Sequence, residues 1–156
     1  MFPEHISKKE LEKSQTATRK GIDNKIPSRL LPNAIRLAWF LETLREKLSD
    51  HYGQVIPIII SSGYRSPVLN GSIGGSATSV HCKALAADIT AVGISTYELA
   101  NFIRVHMVEE GWDQLIYEFG DWVHIGLSEG QMRQEVLTAM KVNRRTVYEL
   151  GIVEIV

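Results

Sequence analysis

The sequence predicts an α+β fold, a small central and largely antiparallel sheet with helices packed around it, as a single domain over residues 1–156. Three observations carry this. The 156 residues are 44% hydrophobic, enough for one proper core and too few for two. Two segments repeat their apolar residues at helical spacing, and short β-rich runs stand between and after them. The resulting order, helix, helix, strand, loop, strand, helix, hairpin, suits helices laid on an antiparallel sheet.

Each element has a local reason. "SKKELEKS" opens with Ser7 and Glu10 three residues apart, a capping box, and reads as a short first helix. The polar stretch 16–27 reads as loop. Over residues 32–48, Ile35, Leu37, Ala38, Leu41, Leu44 and Leu48 recur at helical spacing, with Gly53 beyond as a stop. "QVIPIIISS" is a strand whose Pro57 argues for an edge or a bulge. Ser95 with Glu98 opens a second capped helix through Leu99, Phe102, Ile103 and Val105, expected to stop at Gly111. "DQLIYEFGDWVHIGLS" is two apolar runs around Gly120-Asp121, a hairpin signal, with His124 on the second strand. The tail "RRTVYELGIVEIV" has the apolar content for a last strand or a partner-facing surface.

Composition narrows the partners. Seventeen basic residues against eighteen acidic ones leave a net charge of -1, without the basic block that tracks phosphates, so nucleic acid is not expected. "GSIGGS" lacks the Lys-Ser/Thr ending of a phosphate loop. The single cysteine, Cys82, excludes an internal disulfide framework. The N-terminal segment has no apolar h-region and eighteen apolar residues nowhere run together, so neither a signal peptide nor membrane insertion is expected.

The chemistry gathers around "SATSVHCKALAADIT", where His81 and Asp88 stand seven positions apart among small and apolar residues. A carboxylate buried there needs a cation, a donor or a metal. Hydrolytic zinc sites use three ligands drawn from His and Asp/Glu and leave a position for water, and His81, Asp88 and His124 would supply such a set. An odd separation puts His81 and Asp88 on opposite faces of one straight strand, so they converge only if His81 sits in a loop, "GGSATSVH", before the strand of Asp88. The plainer reading is a salt bridge from Asp88 to Arg65 or Lys83. A Cys82 nucleophile with His124 as its base is a further alternative, but it leaves Asp88 and Arg65 without roles. His5 and His51 read as surface residues, and His106 as a cation at a helix end.

"SSGYRSPVLNGSIGGSATSVHCKALAADI" followed by "DQLIYEFGDWVHIGL" resembles the zinc D-alanyl-D-alanine carboxypeptidase-type peptidases, especially their compact phage and prophage branch. The shared pattern is S-G-Y-R-S, then S-x-H with an Asp seven residues after the His, then W-V-H, and the likeness extends over about residues 7–127 with "SQTATRKGIDNKIPSRLL" upstream. The resemblance implies a small α+β fold and one zinc ion (Zn2+) per chain held by His81, Asp88 and His124. It implies that Arg65 binds substrate and stabilises charge near the scissile carbonyl, with Tyr64 and Ser79 as further substrate-binding candidates and Ser66 supporting Arg65. For the general base it leaves two carboxylates open. Asp121 stands three residues before His124, where several branches place an acid, but Gly-Asp also suits a turn. Glu118 lies across from His124 if the hairpin loop is Gly120, Asp121 and Trp122; a two-residue loop turns it to the other face.

The implied substrates are peptidoglycan stem or cross-bridge peptides, cut as a D,D-carboxypeptidase or endopeptidase would. A phage lysin made in the bacterial cytoplasm, reaching the wall after release or within a virion, would fit. The competing reading is a non-catalytic zinc-containing wall-binding or phage structural module. One departure from the family pattern is Ala84, where a Gly is usual; if that position needs positive φ, an alanine strains it.

Overall fold

A computed structural model describes residues 1–155. The first helix, α1 (Lys8–Glu12), is capped as its sequence predicts: Ser7 Oγ accepts from the Glu10 N–H, and the Glu10 carboxylate accepts from the Ser7 N–H. The stretch read as loop contains a second short helix, α2 (Gln15–Lys20). It buries only Ala17 and so has almost no apolar periodicity to betray it. Its ends hold it instead, with Ser14 accepting from the Ala17 N–H and Gly21 adopting a left-handed φ of 67°.

After a 3-10 turn at Ser28–Leu30 comes α3 (Leu31–Tyr52), the longest helix. Of the expected stripe, Leu37, Ala38, Leu41, Leu44 and Leu48 are buried, while Ile35 is only half-buried and Ala34 beside it takes the core position; Gly53 at φ 68° ends the helix one turn beyond Leu48. The next elements are β1 (Ile58–Ser62), α4 (Pro67–Ser72), β2 (Ala86–Ala91) and α5 (Thr96–His106). Helix α5 begins with the predicted Ser95 and Glu98 capping box and ends before Gly111, which turns the chain separately at φ 71°.

Strands β3 (Gln114–Glu118), β4 (Trp122–Gly126), β5 (Glu135–Val142) and β6 (Arg145–Leu150) complete one sheet of order β1-β2-β4-β3-β5-β6. All neighbours are antiparallel except β3 and β5. Strand β1 is an edge, as Pro57 before it suggests, and its register shifts between Ile60 and Ser62. The tail supplies a whole hairpin rather than a single strand. Its turn residues Asn143 and Arg144 both have positive φ, 50° and 66°, which matches the twist of a two-residue hairpin.

The faces of the sheet differ. Ala87, Ile89, Leu115, Tyr117, Val123 and Ile125 turn to one side and join the buried side chains of α3 and α5 in a continuous core. Alternation then sends Asp88, Ile116, Glu118, Trp122 and His124 to the other side, which no long helix covers. Among the described residues no helix is long and apolar enough to cross a membrane.

The loop into β2 ends at Ala84, which caps a 3-10 turn (Val80–Lys83) at φ 56° and ψ 34° while 1% exposed. This is the left-handed region that a Cβ disfavours by about 1 kcal/mol or more. We predict that Ala84→Val destabilises the fold by roughly 2–4 kcal/mol, since a β-branched side chain adds steric strain and overpacking there. Ala84→Gly should stay within about 1 kcal/mol of the wild type, because relief of strain is offset by the lost methyl burial and a more flexible unfolded chain. Urea unfolding of the three proteins tests this, and a Val variant as stable as the wild type would contradict the left-handed geometry.

Candidate metal centre

Two of the three convergent side chains are fixed by strand pairing. Asp88 in β2 and His124 in β4 are direct cross-strand partners on the open face. The Nδ1 of His124 lies 3.0 Å from Asp88 Oδ1. His81 arrives from outside the sheet, in the 3-10 turn before β2. Ser79 starts that turn by accepting from the His81 N–H at 3.3 Å, and the Leu85 N–H donates back to Val80 O at 3.2 Å. Seven residues thus become one turn plus the start of a strand, which brings His81 Nε2 to 3.5 Å from Asp88 Oδ1.

The other face of the His81 ring is tied down. Its Nδ1 is 2.7 Å from the Gly63 carbonyl. A carbonyl only accepts, so Nδ1 carries the proton and donates, leaving the Nε2 lone pair facing Asp88. Gly63 can lie there because it has no side chain: a Cβ would stand 2.6 Å from the Leu11 carbonyl oxygen and 2.9 Å from Leu11 Cα. The adjacent Tyr64 N–H donates to that same oxygen at 2.7 Å, clamping the β1 end to α1.

The three side chains form one cluster, their ligand atoms all within 4.8 Å of one another. His81 is 2% exposed and His124 8%. Burial works against ionising Asp88, but hydrogen bonds with His124 and then His81 outweigh it and hold the carboxyl well below the ordinary carboxylate range. Two imidazoles and an ionised carboxylate, one imidazole oriented from behind by a carbonyl, fit a zinc ion with coordination positions left over. Asp88 therefore pairs with the histidines rather than with Arg65 or Lys83.

A cleft of about 540 Å³ opens over this cluster, and Arg65, Ser79, Glu118 and Trp122 line it. The hairpin register differs from both expected ones. The loop is Phe119, Gly120 and Asp121, so Glu118 pairs with Trp122, and Ile116 with His124. Phe119 and Gly120 take positive φ of 58° and 75°, which lets three residues make the turn. Glu118 still faces the cluster, diagonally from His124, with Oε1 4.0 Å from His124 Nδ1. Burial first, then the nearby Asp88 carboxylate, push its carboxyl above the usual range, with His124 and Arg65 offsetting part of the rise. Asp121 is an exposed turn residue outside the cleft, its N–H donating to Glu118 O at 2.9 Å.

Arg65 is anchored by its backbone N–H, which donates to His81 O at 3.1 Å, while its side-chain Nε is buried without a hydrogen-bond partner. Tyr64 is 4% exposed within the core, and Ser66 caps α4 by accepting from the Leu69 N–H. Burial pushes the half-buried Cys82 thiol up, against a smaller pull from Arg65, the opposite of what a thiolate nucleophile needs. Trp122, Gln114, Arg133 and Tyr148 also line the cleft, and none of them is among the site residues expected from the sequence. Trp122 was visible in W-V-H, and its Nε1 is a second buried donor without a partner. Gln114 and Tyr148 come to the site by strand pairing, and Arg133 by its hydrogen bonds to the Asp113 carboxylate.

No curated protein matches the chain. A family model described as Peptidase M15 matches residues 4–126, a span that holds His81, Asp88, His124, Glu118 and Arg65. With most of its length matched, and with a His-Asp-His cluster fit for zinc, the chain belongs to the Peptidase M15 family of zinc metallopeptidases, the D-alanyl-D-alanine carboxypeptidase type.

Proposed function

We propose that this protein hydrolyses an amide bond in peptidoglycan stem or cross-bridge peptides, as a D,D-carboxypeptidase or endopeptidase of the phage lysin kind. The observation that carries the reading is Glu118, a half-buried carboxylate in the same cleft as the metal-fitting cluster, with Oε1 4.0 Å from His124 Nδ1. A purely structural zinc site is normally closed by a fourth protein ligand, whereas this cluster has three and opens onto a cleft.

His81, Asp88 and His124 would hold the zinc, with Gly63 O keeping His81 in the tautomer that offers Nε2. Bound zinc supplies Lewis acidity toward an amide carbonyl and makes water more acidic. Glu118 takes the proton of the attacking water at its carboxylate and returns it to the leaving amine, and its place on the cleft face beside the cluster suits both halves of that transfer. The guanidinium of Arg65, which lines the cleft, donates to a substrate carboxylate or to the developing negative charge on the carbonyl oxygen. Ser79 supports His81 from the turn, and Tyr64 braces the segment that carries Arg65.

Zinc-loaded protein incubated with purified peptidoglycan should release peptide fragments that mass spectrometry can assign, and a chelator should abolish the release. Glu118→Gln should retain zinc and lose about 10²- to 10⁴-fold in rate, whereas Asp121→Asn should stay close to the wild type. Full activity in Glu118→Gln, or loss only in Asp121→Asn, would sink the assignment of the base. No fragments from any wall type with zinc bound would favour the non-catalytic wall-binding module. Gly63→Ala should weaken zinc binding about 10- to 100-fold by displacing the carbonyl behind His81. A competitive chelator titration reads that change, and unaltered affinity would show that the carbonyl does not orient the ligand.

A further inference from the structure

Resting on the function proposed above, we infer that the C-terminal hairpin is a wall of the substrate cleft and that Tyr148 is its specificity-determining residue. The family match ends at residue 126, so β5 and β6 lie outside it. The strand register nevertheless carries the open face of the sheet straight into them. Trp122 pairs with Glu118, Glu118 with Ala139, and Ala139 with Tyr148, one row across four strands. Paired residues project to the same side of a sheet, so Tyr148 stands on the face of the metal-fitting cluster. It lines the same cleft as His81, Asp88, Glu118 and His124.

Strand β6 sorts its side chains sharply. Thr146, Tyr148 and Leu150 share the cleft face, while Arg145, Val147 and Glu149 take the opposite one. Both of the strand's charged residues thus point away from the cleft. Tyr148 is 56% exposed and Leu150 85%, so they offer uncharged surface that the fold leaves unburied beside a site. Between Glu118 and Tyr148 the row holds only the methyl of Ala139, so no bulky side chain of that row stands between them.

The spacing defines what fits. Two interstrand steps separate Glu118 from Tyr148, about 10 Å. An extended peptide covers that distance in roughly three residues. The wall therefore takes a peptide reaching at least about three residues from the cut bond, its remote residue laying aliphatic surface on the Tyr148 ring. A dipeptide cannot reach it.

The test uses the zinc-loaded full chain. After the wall digest identifies the bond, two synthetic peptides are built around it, one with a single residue on each side and one with several. The wild type should favour the long peptide in kcat/KM. Tyr148→Ala should reduce that preference about tenfold, mainly through KM of the long peptide. Tyr148→Phe should retain the preference, since the ring face rather than the hydroxyl makes the contact. An equal loss on both peptides, or no loss on either, overturns the inference and leaves the peptidase reading standing. Failure of the wild type to cut any wall overturns both, which separates the two failures.

Discussion

Asp88 and His124 are held face to face by the pairing of β2 with β4, and the site depends on that register more than on any other contact. The two strands are far apart in the chain, with α5 and β3 between them. A slip of one residue between them would turn His124 toward the face packed by α5. The register is specified from behind: Ala87, Ile89, Val123 and Ile125 alternate with the ligand residues and are fully buried against the core. The same alternation that hides the apolar residues therefore presents the carboxylate and the imidazole together on the other side.

His81 is held by a different device. A carbonyl at Gly63 reaches its ring because the chain passes closely over α1, and a left-handed alanine closes the turn that delivers it. Backbone strain and a glycine-dependent close approach thus flank one ligand. Arg65 and Trp122 each keep a buried side-chain N–H without a hydrogen-bond partner beside the cleft, an arrangement that costs free energy in the folded protein.

Local features were legible in the sequence and relational ones were not. The two capping boxes, the stripe of α3 and the edge position of β1 each follow from a few neighbouring residues, and the structure has them, with Ala34 in place of Ile35 at the start of the stripe. Helix α2 escaped because it is held by its caps and buries a single alanine. The hairpin turn was readable, but its register was not, since Phe119 adopts a positive φ that its side chain gives no reason to expect. The ligand set was legible as spacing plus resemblance, whereas the approach of Tyr148 to the cleft depends on a parallel β3–β5 pairing that no local pattern announces.

The most direct test of the account is X-ray absorption spectroscopy at the zinc edge, on the wild type and on His81→Ala, Asp88→Ala and His124→Ala. One tightly bound zinc per chain is expected, its protein ligands two imidazole nitrogens and one carboxylate oxygen, with the matching ligand lost in each variant. A zinc with sulfur in its coordination sphere, or one left unchanged by all three substitutions, would contradict it.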